Sequence, residues 1–314
     1  MSLPALQAIR ERFPQAHVTI LAKPWVADLY SRERLADEVL IYQTNPRPGL
    51  LHRSWKIGLS LRPQKFDCAI LLQNAFEAAW IAWLAGIPNR IGYNRDGRGF
   101  LLTRAITPPK PGEIPRHERF YYLDLLRRAG LIDRLPECDA IHLAMPPAAR
   151  NGHRIIGVSP GAAYGTAKRW LPERFAEAAA ALATERNASI ALFGSAGERP
   201  LCDQIAQQLA SHQVTNYAGQ TSLAQFIDLA AQCELFLTND SGAMHIASAL
   251  GVPTVAIFGA TDDTATGPTG AKARVVREPV ECSPCLLREC PIDHRCMARI
   301  TAARVVEQAL RLLD

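Results

Sequence analysis

Hydrophobic and polar positions alternate with two different periods along the first half of the chain. In Ser2–Phe13, Leu6, Ile9 and Phe13 recur at helical spacing. Ser2 stands at an N-cap position and Pro4 just inside it, so a helix is predicted there. The short apolar runs His17–Ala22, Glu38–Ile41 and Cys68–Leu72 predict buried strands. Phe76–Ala85 predicts a helix and Arg90–Tyr93 a strand. His117–Gly130 predicts an amphipathic helix that stops at a glycine. Periodicity then fades over Asp133–Arg154, which holds Pro136, Pro146, Pro147 and Gly152 and is the expected linker.

A second series follows. Strands are predicted at Ile155–Ser159, Ser189–Phe193, Val214–Tyr217, Leu235–Thr238 and Thr254–Phe258. Helices are predicted at Pro172–Thr184, Arg199–Ser211, Ser222–Gln232, Ala243–Leu250 and Ala302–Leu313. Repeated strand-then-helix patterning implies parallel sheets covered on both faces. The expected class is α/β, with two Rossmann-like domains, 1–150 and 151–314, facing each other across a cleft.

Composition narrows the class. The chain has 314 residues, of which 48% are hydrophobic and 21% charged, and this excludes disordered and collagenous proteins. Its longest apolar stretch, Ala78–Ile87, is shorter than the ~20 residues of a membrane span. The N-terminus lacks a basic start followed by a long apolar run, so a cytoplasmic location is expected. Eight cysteines in a reducing compartment point away from a disulfide scaffold. Cys68, Cys138, Cys202 and Cys233 are scattered and read as small core residues.

Charge is uneven. Residues 1–150 hold 21 Lys and Arg against 14 Asp and Glu, a balance of +7; the remainder holds 14 against 16, or −2. Arg90, Arg95, Arg98, Arg104, Arg116 and Arg119 crowd one span of the basic half. They are read either as a site for an anionic partner or as a solvated surface. Nucleic acid is not expected, because no stacking platform or nucleic-acid motif accompanies the charge.

Four segments carry candidate chemistry. In Leu237–Gly259 a strand runs into Asn239-Asp240-Ser241-Gly242 and then a helix bearing His245. Helix N-termini present free amides to phosphate, and small residues let an anion approach the backbone. Asp240 is read as an acceptor of sugar hydroxyls or simply as the helix N-cap. His245 lies one turn in, either at the site or packed in the core. In Val158–Pro172 a strand ends in a small-residue loop followed by Lys168-Arg169-Trp170. It is neither a Walker A nor a GxGxxG motif, and Lys168 supplies a point charge for a departing diphosphate unless it is merely a surface lysine. In Leu192–Glu198, Glu198 is placed to take ribose hydroxyls or to favour the next helix N-terminus. Finally, Cys282, Cys285, Cys290 and Cys296 lie close together. They read as a structural zinc knot with His294 as substitute ligand, as two disulfides, or as free thiols.

The segments SPGAAYGTAKRWLPERFAEAA, LFGSAGE, LTNDSGAMHIASALGVPTVAIFG and the cysteine cluster resemble the bacterial ADP-heptose:lipopolysaccharide heptosyltransferases. LLQNAFEAAWIAWLAGIPNRIGY and MSLPALQAIRERFP extend the likeness into the first half. The cysteine cluster favours the second enzyme of that family over the first. The resemblance implies a GT-B fold that binds donor in the C-terminal domain and acceptor in the N-terminal one. It implies inverting transfer of heptose from ADP-heptose to the inner-core heptose of lipopolysaccharide, without a catalytic metal. Lys168 and the Ser241-Gly242 amides would hold the diphosphate, with Thr166 a weaker candidate. Glu198 would hold the adenosine ribose, and Asp240 and His245 would lie at the phosphate and sugar. Arg95 and Arg98 are the acceptor candidates, for a phosphorylated acceptor at the inner face of the cytoplasmic membrane. The family's general base follows a first strand, in a Gly-Asp pair just before the segment that starts here at Met1. No catalytic residue is therefore assigned, and the first sheet is expected to lack a central strand. The alternatives are a nucleotide-sugar-binding protein with impaired turnover and a related GT-B enzyme using another donor.

Overall fold

Short parallel strands joined by helices organise both halves of the chain in a computed structural model, which describes residues 1–42, 50–146 and 152–314. The chain divides into two units, Met1–Cys138 and Asp139–Asp314. The division falls within the proline-rich stretch expected as the linker, ahead of the expected boundary. Pro147, Arg150 and Asn151 lie outside the described residues.

In the first unit, β1 (Thr19–Ala22) pairs in parallel with β2 (Glu38–Ile41). Separately, β3 (Cys68–Leu71), β4 (Asn89–Tyr93) and β5 (Arg104–Ile106) form a parallel three-stranded sheet. Among the described residues no strand joins β1 to β3. Alternation along β3 sends its side chains to two opposite layers. Ala69 and Leu71 pack with Leu21, Leu40, Ile81 and Ile87, on the side of helices Leu50–Leu61 and Phe76–Leu84. Ile70 packs with Ala5, Ile9, Leu123 and Leu126, from helices Leu3–Arg12 and Glu118–Arg128. Ser2 precedes the first helix but does not cap it; its hydroxyl lies 3.2 Å from that of Tyr30.

One polar knot fastens this unit. Asp124 is fully buried and accepts from Arg127 Nη2 at 2.6 Å, Arg128 Nε at 2.5 Å and the Tyr93 hydroxyl at 3.2 Å. Burial, and then the Asp124 charge, push the Tyr93 phenol well above its usual pKa. Removing the acid strands Arg127 and takes one of two carboxylates from Arg128, which keeps Glu113 at 2.6 Å. Asp124→Ala should cost about 3 kcal/mol, read as a lowered denaturation midpoint, and should leave nucleotide affinity unchanged.

The second unit holds a six-stranded parallel sheet of β6 (Ile155–Ser159), β7 (Ser189–Leu192), β8 (Val214–Asn216), β9 (Leu235–Asn239), β10 (Thr254–Phe258) and β11 (Ala273–Arg277). Its order is β11-β10-β9-β6-β7-β8. Every residue of β9 and β10 is buried, as expected of central strands covered on both faces. The helix Pro172–Arg186 places Phe175, Ala178, Ala179 and Leu182 in the core, beside Trp170 and the closing helix Ala302–Leu310. The chain runs outward from β6 through β7 to β8, then crosses back to β9 and outward through β10 to β11. The order therefore reverses between β6 and β9. In open α/β sheets the crevice at such a reversal, beyond the carboxyl ends of the strands, is where ligands bind.

Candidate active site

The loops that leave β6 and β9 are tied together at that reversal. Asn239, the last residue of β9, is fully buried. It donates from Nδ2 to the Pro160 carbonyl at 2.7 Å and accepts from the Trp170 amide at 3.0 Å. Trp170 is anchored in turn, its indole N–H donating to the Ile300 carbonyl at 3.1 Å. One side chain thus fixes both ends of the 160–170 loop against the start of the next.

Within this frame Lys168 reaches Asp240. Its Nζ lies 2.5 Å from Asp240 Oδ2, with side chains 13% and 5% exposed. The Thr261 hydroxyl, from the loop after β10, donates to the same oxygen at 2.6 Å. Three loops therefore converge on one carboxylate. The N-cap reading of Asp240 is corrected. Ser241 holds the cap position of helix Gly242–Ala249 in extended backbone, and no side chain caps that helix. The Ser241 hydroxyl lies 3.2 Å from that of Thr238 instead. The space beside Gly242 is open, with nothing within 4 Å of where a Cβ would stand. An uncapped helix start next to an ammonium is suited to an anion: the amides and the positive dipole end point to one place. His245 is half-buried on the first turn of this helix, and Thr166 is exposed in the turn that carries Lys168.

Glu198 follows β7 and approaches the same region. Its Oε2 accepts from the amide and the hydroxyl of Ser195, both at 2.8 Å, in a capping box at the start of the turn Ala196–Glu198. Its Oε1 sits 2.0 Å from the position of a Cβ on Gly161, in the loop after β6. Only glycine at 161 allows that approach.

The zinc knot is one of three readings of the cysteine segment, and its ligands are not assembled among the described residues. Among the described residues no three His, Cys, Asp or Glu side chains are grouped to hold an ion, and all eight cysteines are free. The segment is tied elsewhere. Ser283 Oγ donates to the Gly259 carbonyl at 2.6 Å and the Leu286 amide to the Ala260 carbonyl at 2.8 Å. His294, the substitute ligand, is bonded through Nε2 to the Ala167 carbonyl at 3.1 Å. Burial, and then the neighbouring Cys282, Cys285 and Cys290 charges, push the Cys296 thiol up.

Arg98 is corrected as an acceptor residue. It is fully buried, and its guanidinium donates to the carbonyls of Tyr93, Gln73 and Ala75, which pin the loops after β3 and β4. Arg90 is likewise spent on the Ile87 and Leu101 carbonyls. Arg95 is exposed, and the Tyr121 hydroxyl beside it raises its pKa. The sequence reading missed Thr261, Asn239 and Tyr164. Tyr164 and Asn239 stand inside the quoted motifs, and Thr261 stands two residues past the end of one.

Comparison with known proteins places this geometry in a class. The model of glycosyltransferase family 9 (heptosyltransferase) matches residues 54–295. The solved structure of Escherichia coli ADP-heptose lipopolysaccharide heptosyltransferase II superposes with a TM-score of 0.80 at 29% identity, covering 99% of this chain and 94% of that one. The fold is accordingly of the GT-B glycosyltransferase type. Lipooligosaccharide heptosyltransferase 2 of Haemophilus ducreyi is 31% identical over 100% of this chain and 95% of its own length. Lipopolysaccharide heptosyltransferase 2 of Escherichia coli is 32% identical over 88% and 84%. The chain belongs to glycosyltransferase family 9, the heptosyltransferases.

Proposed function

We propose that this chain transfers heptose, with inversion, from ADP-heptose to the inner-core heptose of lipopolysaccharide. The observation that carries the reading is the Lys168 ammonium fixed on Asp240 beside the uncapped start of helix Gly242–Ala249, in a chain of this family. The acceptor hydroxyl attacks the anomeric carbon from one face while the C–O bond to ADP breaks on the other, and the hydroxyl proton is released to water. Negative charge gathers on the departing diphosphate. Lys168 and the amides at Ser241 and Gly242 meet that charge from fixed positions, so little reorganisation is needed as it develops. Thr261 and Asp240 hold the ammonium in place, and Asp240 accepts from sugar hydroxyls. Glu198, braced by Ser195, offers its second oxygen to the ribose. The cysteine segment serves as a brace for these loops, and no cofactor enters the step.

The test is a product assay. Incubation with ADP-heptose and a core acceptor ending in one heptose should extend the acceptor by one heptose and release ADP. Binding of ADP without product, or a clear preference for a UDP-sugar, would contradict the assignment.

The first unit is read as the acceptor side, at a membrane surface. Its basic balance suits a phosphorylated acceptor, and Arg95 is the exposed candidate. Arg95→Ala should raise the acceptor KM several-fold and leave ADP affinity unchanged, as measured by steady-state kinetics and calorimetry. A ridge of aromatics supports the membrane part. On helix Phe76–Leu84, Phe76 stacks on Trp80 and Trp80 on Trp83, with centroids 6.3 and 5.1 Å apart, and Phe100 lies 6.2 Å from Phe76. Trp83 is 46% and Phe100 77% exposed. No helix among the described residues is long and apolar enough to cross a membrane. An exposed aromatic ridge on a basic unit fits the interfacial layer instead. Trp83→Ser with Phe100→Ser should reduce cosedimentation with anionic vesicles at least threefold, without loss of ADP binding.

A further inference from the structure

The segment that carries the cysteines also carries a cation to the donor loop. Its backbone is joined to that loop at several points. The Ala167 amide donates to the Arg288 carbonyl at 3.0 Å, and the Tyr164 hydroxyl donates to the Leu286 carbonyl at 2.7 Å. A Cβ on Gly165 would stand 2.1 Å from the Arg288 carbonyl oxygen, so glycine alone permits this approach. Arg288 is therefore held at a fixed distance from the turn that bears Lys168.

The side chains share one ring. Lys168 Nζ lies 4.8 Å from the centroid of Tyr164, and Arg288 Cζ lies 5.4 Å from it. A phenol ring attracts both cations but neutralises neither. Lys168 has Asp240 as its counter-charge. Arg288 is exposed and forms no ion pair among the described residues. Two cations and one carboxylate thus leave an excess positive charge at the turn. A guanidinium presents a planar fork that takes two oxygens of one phosphate, which an ammonium cannot do.

We propose that Arg288 is a second cation for the donor diphosphate, taking the terminal phosphate of the departing nucleotide while Lys168 takes the diphosphate as a point charge. This rests on the reading that the diphosphate lies at Lys168. Tyr164 aligns the two cations, and its bond to the Leu286 carbonyl keeps the ring in place.

The probes are ADP and AMP, titrated calorimetrically into the full chain and its Arg288→Ala, Arg288→Lys and Lys168→Ala variants. Arg288→Ala should weaken ADP about tenfold, in line with loss of a charge-assisted hydrogen bond. AMP, which lacks the second phosphate, should change less than twofold. Arg288→Lys should recover only part of the loss. The Arg288 carbonyl that holds Ala167 survives both Arg288 substitutions, so the denaturation midpoint of those two variants should not move. If Lys168→Ala weakens ADP and Arg288→Ala does not, the proposal fails and the site reading stands. If neither variant changes ADP affinity, the site reading fails as well. Equal losses for ADP and AMP with a lowered midpoint would make Arg288 a brace and overturn the proposal.

Discussion

Lys168→Ala should lower kcat/KM by about 10²–10³, the usual cost of removing one fixed donor from a developing oxyanion. Two effects are mixed in that variant, and they can be separated. Loss of the ammonium removes the charge that meets the departing diphosphate. It also leaves Asp240 buried with no cation, although Thr261 still donates to it. Breaking a buried pair by removing one partner costs about 3 kcal/mol or more. The companion variant Lys168→Ala with Asp240→Asn removes the stranded charge and keeps the shape. It should regain most of the stability and none of the rate. Rates measured well below both denaturation midpoints then report chemistry alone. If the double variant recovered activity together with stability, Lys168 would be a structural residue.

Gly165→Ala should have the second largest effect, through geometry rather than charge. The added methyl would lie 2.1 Å from the Arg288 carbonyl oxygen and 2.8 Å from both Arg288 C and Cα. These are backbone atoms, so no rotamer change relieves the clash and the two segments must separate. Overpacking of this kind costs about 1–3 kcal/mol. The separation pulls the Ala167 amide off its acceptor and moves the turn that carries Lys168. A shift of about 1 Å at a positioning element can cost 10²-fold in rate. ADP affinity and kcat should both fall, while a probe belonging to the other unit, the Asp124 knot, keeps its stability. Wild-type kinetics in this variant would show that the contact between the segments plays no part in the site.

The central features of the second unit were legible in the sequence for a physical reason. Parallel strands buried on both faces read as plain apolar runs, and small-residue loops at their carboxyl ends mark where a ligand can approach backbone. That logic placed Lys168 and Asp240 in neighbouring loops, and their side chains meet. It did not reveal Thr261, because a lone threonine after a strand has no distinguishing pattern. Asp240 was open to a capping reading because capping is local, whereas its actual partners come from two other loops. Arg98 misled for the opposite reason. Residue type suggests an exposed charge, but a ring of loop carbonyls can hold a buried guanidinium, and that arrangement exists only once the loops are folded. The cysteine spacing was similarly ambiguous. Spacing permits a metal knot, yet the backbone bonds of Ser283, Leu286 and His294 to other loops direct the segment to the donor turn. Helices Pro24–Arg32 and Leu50–Leu61 and the short strands β5 and β11 also escaped the pattern, the strands because three to five residues with exposed positions give little periodicity.

A crystal structure of the chain with ADP bound would test the central claim most directly. Phosphate oxygens are expected within about 3 Å of Lys168 Nζ and of the amides at Ser241 and Gly242, as charge-assisted hydrogen bonds require. A nucleotide seated with its diphosphate away from that helix start, and Lys168 still turned only to Asp240, would contradict it.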